Sequence, residues 1–164
     1  ISSRLGNTVR ALEEADMAIN YNGMNIDARN LKTTLLRQAG RKSEARSMAE
    51  DVLKTDPLNY YATNELVLLG VKPEAEFRKL LRGVPESYLE LALYYYNNGF
   101  VKEMTDVLNM SETIRPYPTV EYWLGYLADQ AGDQENTYQA LEHILQGRLR
   151  IMTSIMYSLS VWKQ

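Results

Sequence analysis

Apolar residues recur three and four positions apart along this 164-residue chain, in short runs separated by single Gly or Pro residues. Each run predicts one buried face of an amphipathic helix. Ala28, Leu31, Leu35 and Ala39 form one stripe, and Ala45, Met48, Ala49, Val52 and Leu53 form its partner. Leu58, Ala62, Leu66 and Leu69 open the next pair, answered by Phe77, Leu80 and Leu81. Tyr88, Leu91, Ala92 and Tyr95 face Val101, Met104, Val107 and Leu108; Trp123, Leu124, Leu127 and Ala131 face Ala140, Leu141, Ile144 and Leu145. No segment alternates with period two for long enough to argue a strand, so the pattern predicts an all-α chain of antiparallel helical hairpins.

A spaced pair, Gly then Ala five residues later, marks the hairpins. Gly6 with Ala11 recurs as Gly40 with Ala45, an interval of 34 residues, and Ala18 is matched by Val52 at the same interval. Further along only the glycine persists: Gly70 is followed by Ala75, Gly99 by Met104 and Gly132 by Thr137, at intervals of 30, 29 and 33. A tight turn between antiparallel helices calls for left-handed backbone, which a Cβ penalises. Pro57, in Lys54-Thr55-Asp56-Pro57, is expected to close its hairpin, because proline cannot continue a helix.

The 34-residue interval resembles that of the tetratricopeptide repeat family. The resemblance covers nearly the whole chain and is carried by Gly40, Ala45 and Pro57, by Leu91, Ala92, Tyr95, Gly99 and Pro116, and by Leu124, Gly125 and Gly132. It implies helix-turn-helix units stacked in a right-handed α-solenoid, with first helices lining a concave groove that binds peptides or partner proteins. Lys32 stands where a core Leu is usual, Arg82 where a small residue is usual, and Met104 and Thr137 replace the second-helix Ala. More narrowly, Leu31-Lys32 to Gly40-Arg41, Glu44-Ala45, Asp56-Pro57-Leu58 and Ser87 to Ala92 resemble the repeat region of large bacterial proteins that join a sugar-mutarotase-like domain of unknown function to such repeats. One repeat domain is expected over residues 1–164, with four to five hairpins at about 1–23, 25–56, 58–83, 86–115 and 118–146 and a capping helix at 149–162. Because Ile1 falls inside a repeat, the chain reads as a fragment of a longer protein.

Charge and composition narrow the chemistry. Eighteen basic against 21 acidic residues give a net charge of −3, which offers no electrostatic footprint for nucleic acid. The absence of cysteine removes disulfides and thiolate zinc sites. The most apolar stretch, Leu149 to Trp162, is too short to anchor the chain in a membrane. His143 is the one histidine and sits beside Leu141, Ile144 and Leu145, so it reads as a solvated helix residue rather than a ligand or catalytic base. Glu13-Glu14, Glu50-Asp51 and Glu74/Glu76 point apart on their helices. The basic groups Arg37, Arg41, Lys42 and Arg46, and Arg78, Lys79 and Arg82, read as solvated faces. No enzyme activity, cofactor or metal is expected, and the sequence names no compartment.

The functional signal is aromatic. Twelve tyrosines is a high count for this length, and several fall on first helices at positions that the resemblance places on the groove. The expected peptide-binding set is Asn30, Thr34, Arg37, Tyr60, Asn64, Tyr96, Asn97, Tyr122 and Tyr126. Tyrosine offers apolar area with a hydrogen-bonding tip, and Asn pairs with an extended peptide backbone. With only Arg37 basic, a clamp for a free C-terminal carboxylate is not reproduced. The reading is a non-enzymatic scaffold that binds a protein segment or a domain of its own longer chain. The alternatives are an assembly module of a carbohydrate-active or carbohydrate-sensing protein, and self-association through an unpaired helix.

Overall fold

The computed structural model describes residues 8–114 and 116–161, with side chains as far as residue 147. Among the described residues there are nine helices and no strand: α1 (Thr8–Tyr21), α2 (Ile26–Gln38), α3 (Lys42–Thr55), α4 (Tyr60–Leu68), α5 (Glu74–Leu81), α6 (Pro85–Asn97), α7 (Val101–Glu112), α8 (Pro118–Gln130) and α9 (Gln134–Val161). The fold is all-α, with successive helices joined by short turns.

The recurrent glycines reverse the chain as their spacing predicts. Gly40, Gly70, Gly99 and Gly132 have φ of 77°, 73°, 84° and 75°, and each ends a helix the same way. The residue after each glycine donates its backbone N–H five residues back, Arg41 to Leu36, Val71 to Leu66, Phe100 to Tyr95 and Asp133 to Ala128, all at 2.9 Å. The glycine itself donates three residues back, completing the two-bond Schellman pattern that satisfies the last carbonyls of the helix. Gly6 lies outside the described residues.

The helices that follow the longer connections start in two ways. Asn25 and Asn59, again 34 residues apart, cap α2 and α4 by accepting from the backbone N–H of Ala28 at 3.0 Å and Ala62 at 2.8 Å. Pro85 and Pro118 occupy the first position of α6 and α8, where a missing N–H costs nothing. Asp56, next to Pro57, caps the end of α3 as expected.

The described chain gathers into two compact units. The first runs to Val84 and includes Leu93–Val101; the second holds Pro85–Ala92 and continues from Lys102. In the first unit α1 packs on α2, α2 on α3, α3 on α4 and α4 on α5, while α2 also touches α4. Small residues allow the approach: Ala49 and Val52 of α3 meet Ala62 and Leu66 of α4, all fully buried, with Ile26, Leu53 and Leu69 around them. Burial of Leu66 or Val52 is worth about 2 kcal/mol each. Two ion pairs tie neighbours of α2: Arg29 with Asp51 of α3, and Lys32 with Asp16 of α1. Lys32 thus occupies its core-register position by reaching a carboxylate.

In the second unit Tyr88, Leu91, Ala92, Met104, Val107, Leu108, Val120 and Ala140 are buried. Gly125 of α8 lies so close to α9 that a Cβ there would stand 3.0 Å from the Cβ of Ala140. The separate capping helix expected at 149–162 is instead the continuation of α9, which runs unbroken through Gly147. Glycine lowers helix propensity by about 1 kcal/mol without forbidding the helix. Several stripe residues also fall outside the core: Leu58 is 69% exposed, Val101 46%, Leu141 51% and Leu145 60%.

Candidate functional site

Three of the nine expected groove residues come together, but below the surface. Glu65 of α4 is fully buried and is the centre of a polar network linking α2, α4 and the last turn of α6. Arg37 donates from Nε to Glu65 Oε2 at 2.7 Å and from Nη2 to Oε1 at 3.4 Å. Thr34 Oγ1 and the Tyr95 hydroxyl each donate to Oε1 at 2.8 Å. Having spent its proton there, the Thr34 hydroxyl accepts from the Tyr61 hydroxyl. Asn64 Nδ2 donates to the Tyr95 oxygen at 3.0 Å.

Aromatic packing closes the network. The Tyr61 ring lies 4.7 Å from the rings of both Tyr94 and Tyr95. Burial, and next the charge of Glu65, push the Tyr61 and Tyr95 hydroxyls well above the usual tyrosine range, so they stay protonated donors at physiological pH. Tyr94 is likewise raised, chiefly by burial, and donates to the backbone carbonyl of Asp27 at 2.9 Å. The network therefore holds α2, α4 and the last turn of α6 together.

The remaining expected residues are dispersed. Asn30 is buried on α2, Tyr60 and Tyr96 are half-buried, and Asn97 is exposed. In the second unit Tyr122 is 58% exposed and Tyr126 half-buried, each set edge-on to Trp123 at 5.9 and 5.6 Å. The basic clusters are largely neutralised within their own helices and turns, Arg41 by Glu44, Arg46 by Glu50 and Arg78 by Glu74.

An open cleft lies elsewhere in the first unit, and none of the nine expected residues lines it. A cleft of about 440 Å³ opens between α1, the start of α2 and the end of α6. Ala15, Ala18, Ala28 and Leu31 give it an apolar floor, and Glu14, Asn25, Asp27, Tyr94 and Asn98 its polar rim. Its sequence signal is the run of small residues on one face of α1, Ala11, Ala15 and Ala18, which leaves room beside α2.

In the second unit His143 meets two carboxylates. Its Nδ1 lies 3.3 Å from Oε2 of Glu121, which is only 5% exposed, and Glu112 completes a group whose ligand-type atoms all fall within 4.8 Å of one another. Burial first, and then the hydrogen bond and negative charge of Glu121, push the Glu112 carboxyl up to about 7, while His143 pulls it the other way. The sequence separates these three residues by 9 and 22 positions and gives no motif for them.

No family model and no curated protein matches the chain. Among solved structures it is similar to MamA. A structure of residues 41 to the end of MamA from Desulfovibrio magneticus RS-1 is 16% identical, covers 88% of this chain and 88% of that one, and has a TM-score of 0.44. A second MamA crystal structure is 12% identical over 93% of this chain and 95% of that one, with a TM-score of 0.45. A double mutant of MamA from RS-1 is 16% identical, covers 88% and 87%, and has a TM-score of 0.44.

Proposed function

We propose that this protein is a non-enzymatic interaction scaffold that holds a partner protein segment in the cleft between α1, α2 and α6. The observation that carries the reading is the pairing of an apolar floor, Ala15, Ala18, Ala28 and Leu31, with an acidic rim made by Asp27 and by Glu14, which also pairs with Arg10 at 3.2 Å. Such a cleft suits one apolar side chain of an extended or helical segment, flanked by a basic residue that meets the rim. Tyr94 and Asn98 supply hydrogen-bonding tips at its edge.

Peptide-display selection on the native chain tests this. Enrichment of sequences with an apolar anchor beside Lys or Arg is expected, with binding lost in Ala18→Trp, which fills the cleft from a half-buried position. Selected peptides that bind Ala18→Trp as tightly as the native chain would place the partner surface elsewhere, with the half-buried and exposed Tyr60, Tyr96, Asn97, Tyr122 and Tyr126 as the next set to substitute.

One observation favours self-association as a second reading. Tyr138, Leu141 and Leu145 form an exposed stripe on α9, at 68%, 51% and 60% exposure. Light scattering on the native chain and on Leu141→Glu with Leu145→Glu tests it: a dimer that becomes a monomer supports it, and a native monomer at high concentration removes it.

A further inference from the structure

We propose that Glu112, Glu121 and His143 form a binding site for a first-row divalent transition ion, for which Zn²⁺ is the natural probe. The three residues come from three helices: Glu112 is the last residue of α7, Glu121 lies in the first turn of α8, and His143 is on α9. One donor atom from each lies within 4.8 Å of the other two, and the His143–Glu121 pair is already at 3.3 Å.

Metal bonds of roughly 2.0–2.2 Å to nitrogen and oxygen put neighbouring donors about 3–3.5 Å apart. The pair at 3.3 Å meets that spacing as it stands. The remaining closure falls to Glu112, half-buried, and to the His143 side chain, 57% exposed.

Burial and helix packing argue for a cation rather than a chance meeting of surface groups. Glu121 is more than nine-tenths buried and aims its carboxylate at a second carboxylate, Glu112, and at an imidazole that is neutral unless protonated. A divalent ion balances the two carboxylates and takes the imidazole nitrogen as third ligand. The mixed set of one nitrogen and two oxygens suits Zn²⁺, Mn²⁺ or Fe²⁺ better than the all-oxygen shells of Ca²⁺ and Mg²⁺. The close approach of Gly125 and Ala140 fixes the geometry, because in antiparallel helices it brings the turn before Gly125, with Glu121, beside the turn after Ala140, with His143. Three protein ligands leave at least one position for water or for a donor from a partner.

His143 is the only histidine and there is no cysteine, so the test has little background. Zn²⁺ titrated into the untagged, chelator-treated chain is followed by calorimetry, by thermal unfolding and by the NMR signals of the single imidazole. Saturable one-to-one binding that shifts the His143 signals and raises the melting temperature is expected, with loss of binding in His143→Ala and in Glu121→Gln. Far-UV circular dichroism of the metal-free variants checks that they fold, and the imidazole signals of the native chain give a readout that needs no variant. An imidazole that does not respond to saturating Zn²⁺, or binding that survives in folded His143→Ala, overturns the site.

Discussion

Replacing Arg37 by methionine tests how the first unit is held together. Glu65 is wholly buried, and Arg37 is the cation that faces it, its side chain 17% exposed. Arg37→Met keeps much of the side-chain volume and leaves a buried carboxylate with the Thr34 and Tyr95 hydroxyls as its donors. Removing one partner of a buried pair costs about 3–5 kcal/mol, and the residual access of water at Arg37 argues for the lower end, about 3 kcal/mol. In a unit of about 90 residues that corresponds to a fall in melting temperature on the order of 15 °C. Adding Glu65→Gln removes the charge while keeping an oxygen to accept from Thr34 and Tyr95, so the double variant is expected to recover all but about 1 kcal/mol. Urea unfolding followed by far-UV circular dichroism gives the stabilities. The two tryptophans, Trp123 and Trp162, belong to the other unit's part of the sequence, so their fluorescence serves as an internal control. A loss below 1 kcal/mol in Arg37→Met, or a double variant no better than the single, would refute the argument that Glu65 depends on its cation.

Two further substitutions probe backbone geometry. Gly125→Ala puts a Cβ 3.0 Å from that of Ala140, so helix-propensity gain is outweighed by overpacking; a net loss of about 1–2 kcal/mol is expected in chemical denaturation, with weaker Zn²⁺ binding as Glu121 and His143 separate. Arg82 ends α5 in left-handed conformation at φ 54°, so Arg82→Gly should stabilise the first unit by roughly 0.5–1 kcal/mol, read as a higher urea midpoint.

Much of the fold is legible in the sequence because reversal points and helical period are local properties. Gly40, Gly70, Gly99 and Gly132 announce their turns through backbone handedness alone, and Pro57 announces the end of α3 by what proline forbids. The site is less legible because it depends on depth. Thr34, Arg37 and Asn64 lie on first helices where the period places them, yet spacing cannot separate a residue facing a groove from one sunk between adjacent first helices. The clue lies in Glu65, which stands 34 residues after the core residue Leu31: a carboxylate at a core register requires a buried partner. Leu141 and Leu145 show the converse, an apolar stripe with only one side covered, Ala140 being buried while they are exposed. The Glu112, Glu121 and His143 group has no local pattern at all, since the end of α7, the start of α8 and the body of α9 assemble it.

The open space around the turn glycines bears on how such a chain can diversify. At Gly40, Gly70 and Gly132 nothing lies within 4 Å of where a Cβ would project, so the constraint is chirality and not room. Everything else about a repeat can then drift while the reversal stays in place, which is why Ala45 finds Met104 and Thr137 as counterparts whereas the glycine stays the same. The corners of the structure keep the register of the repeat, and its faces are left at liberty to specialise.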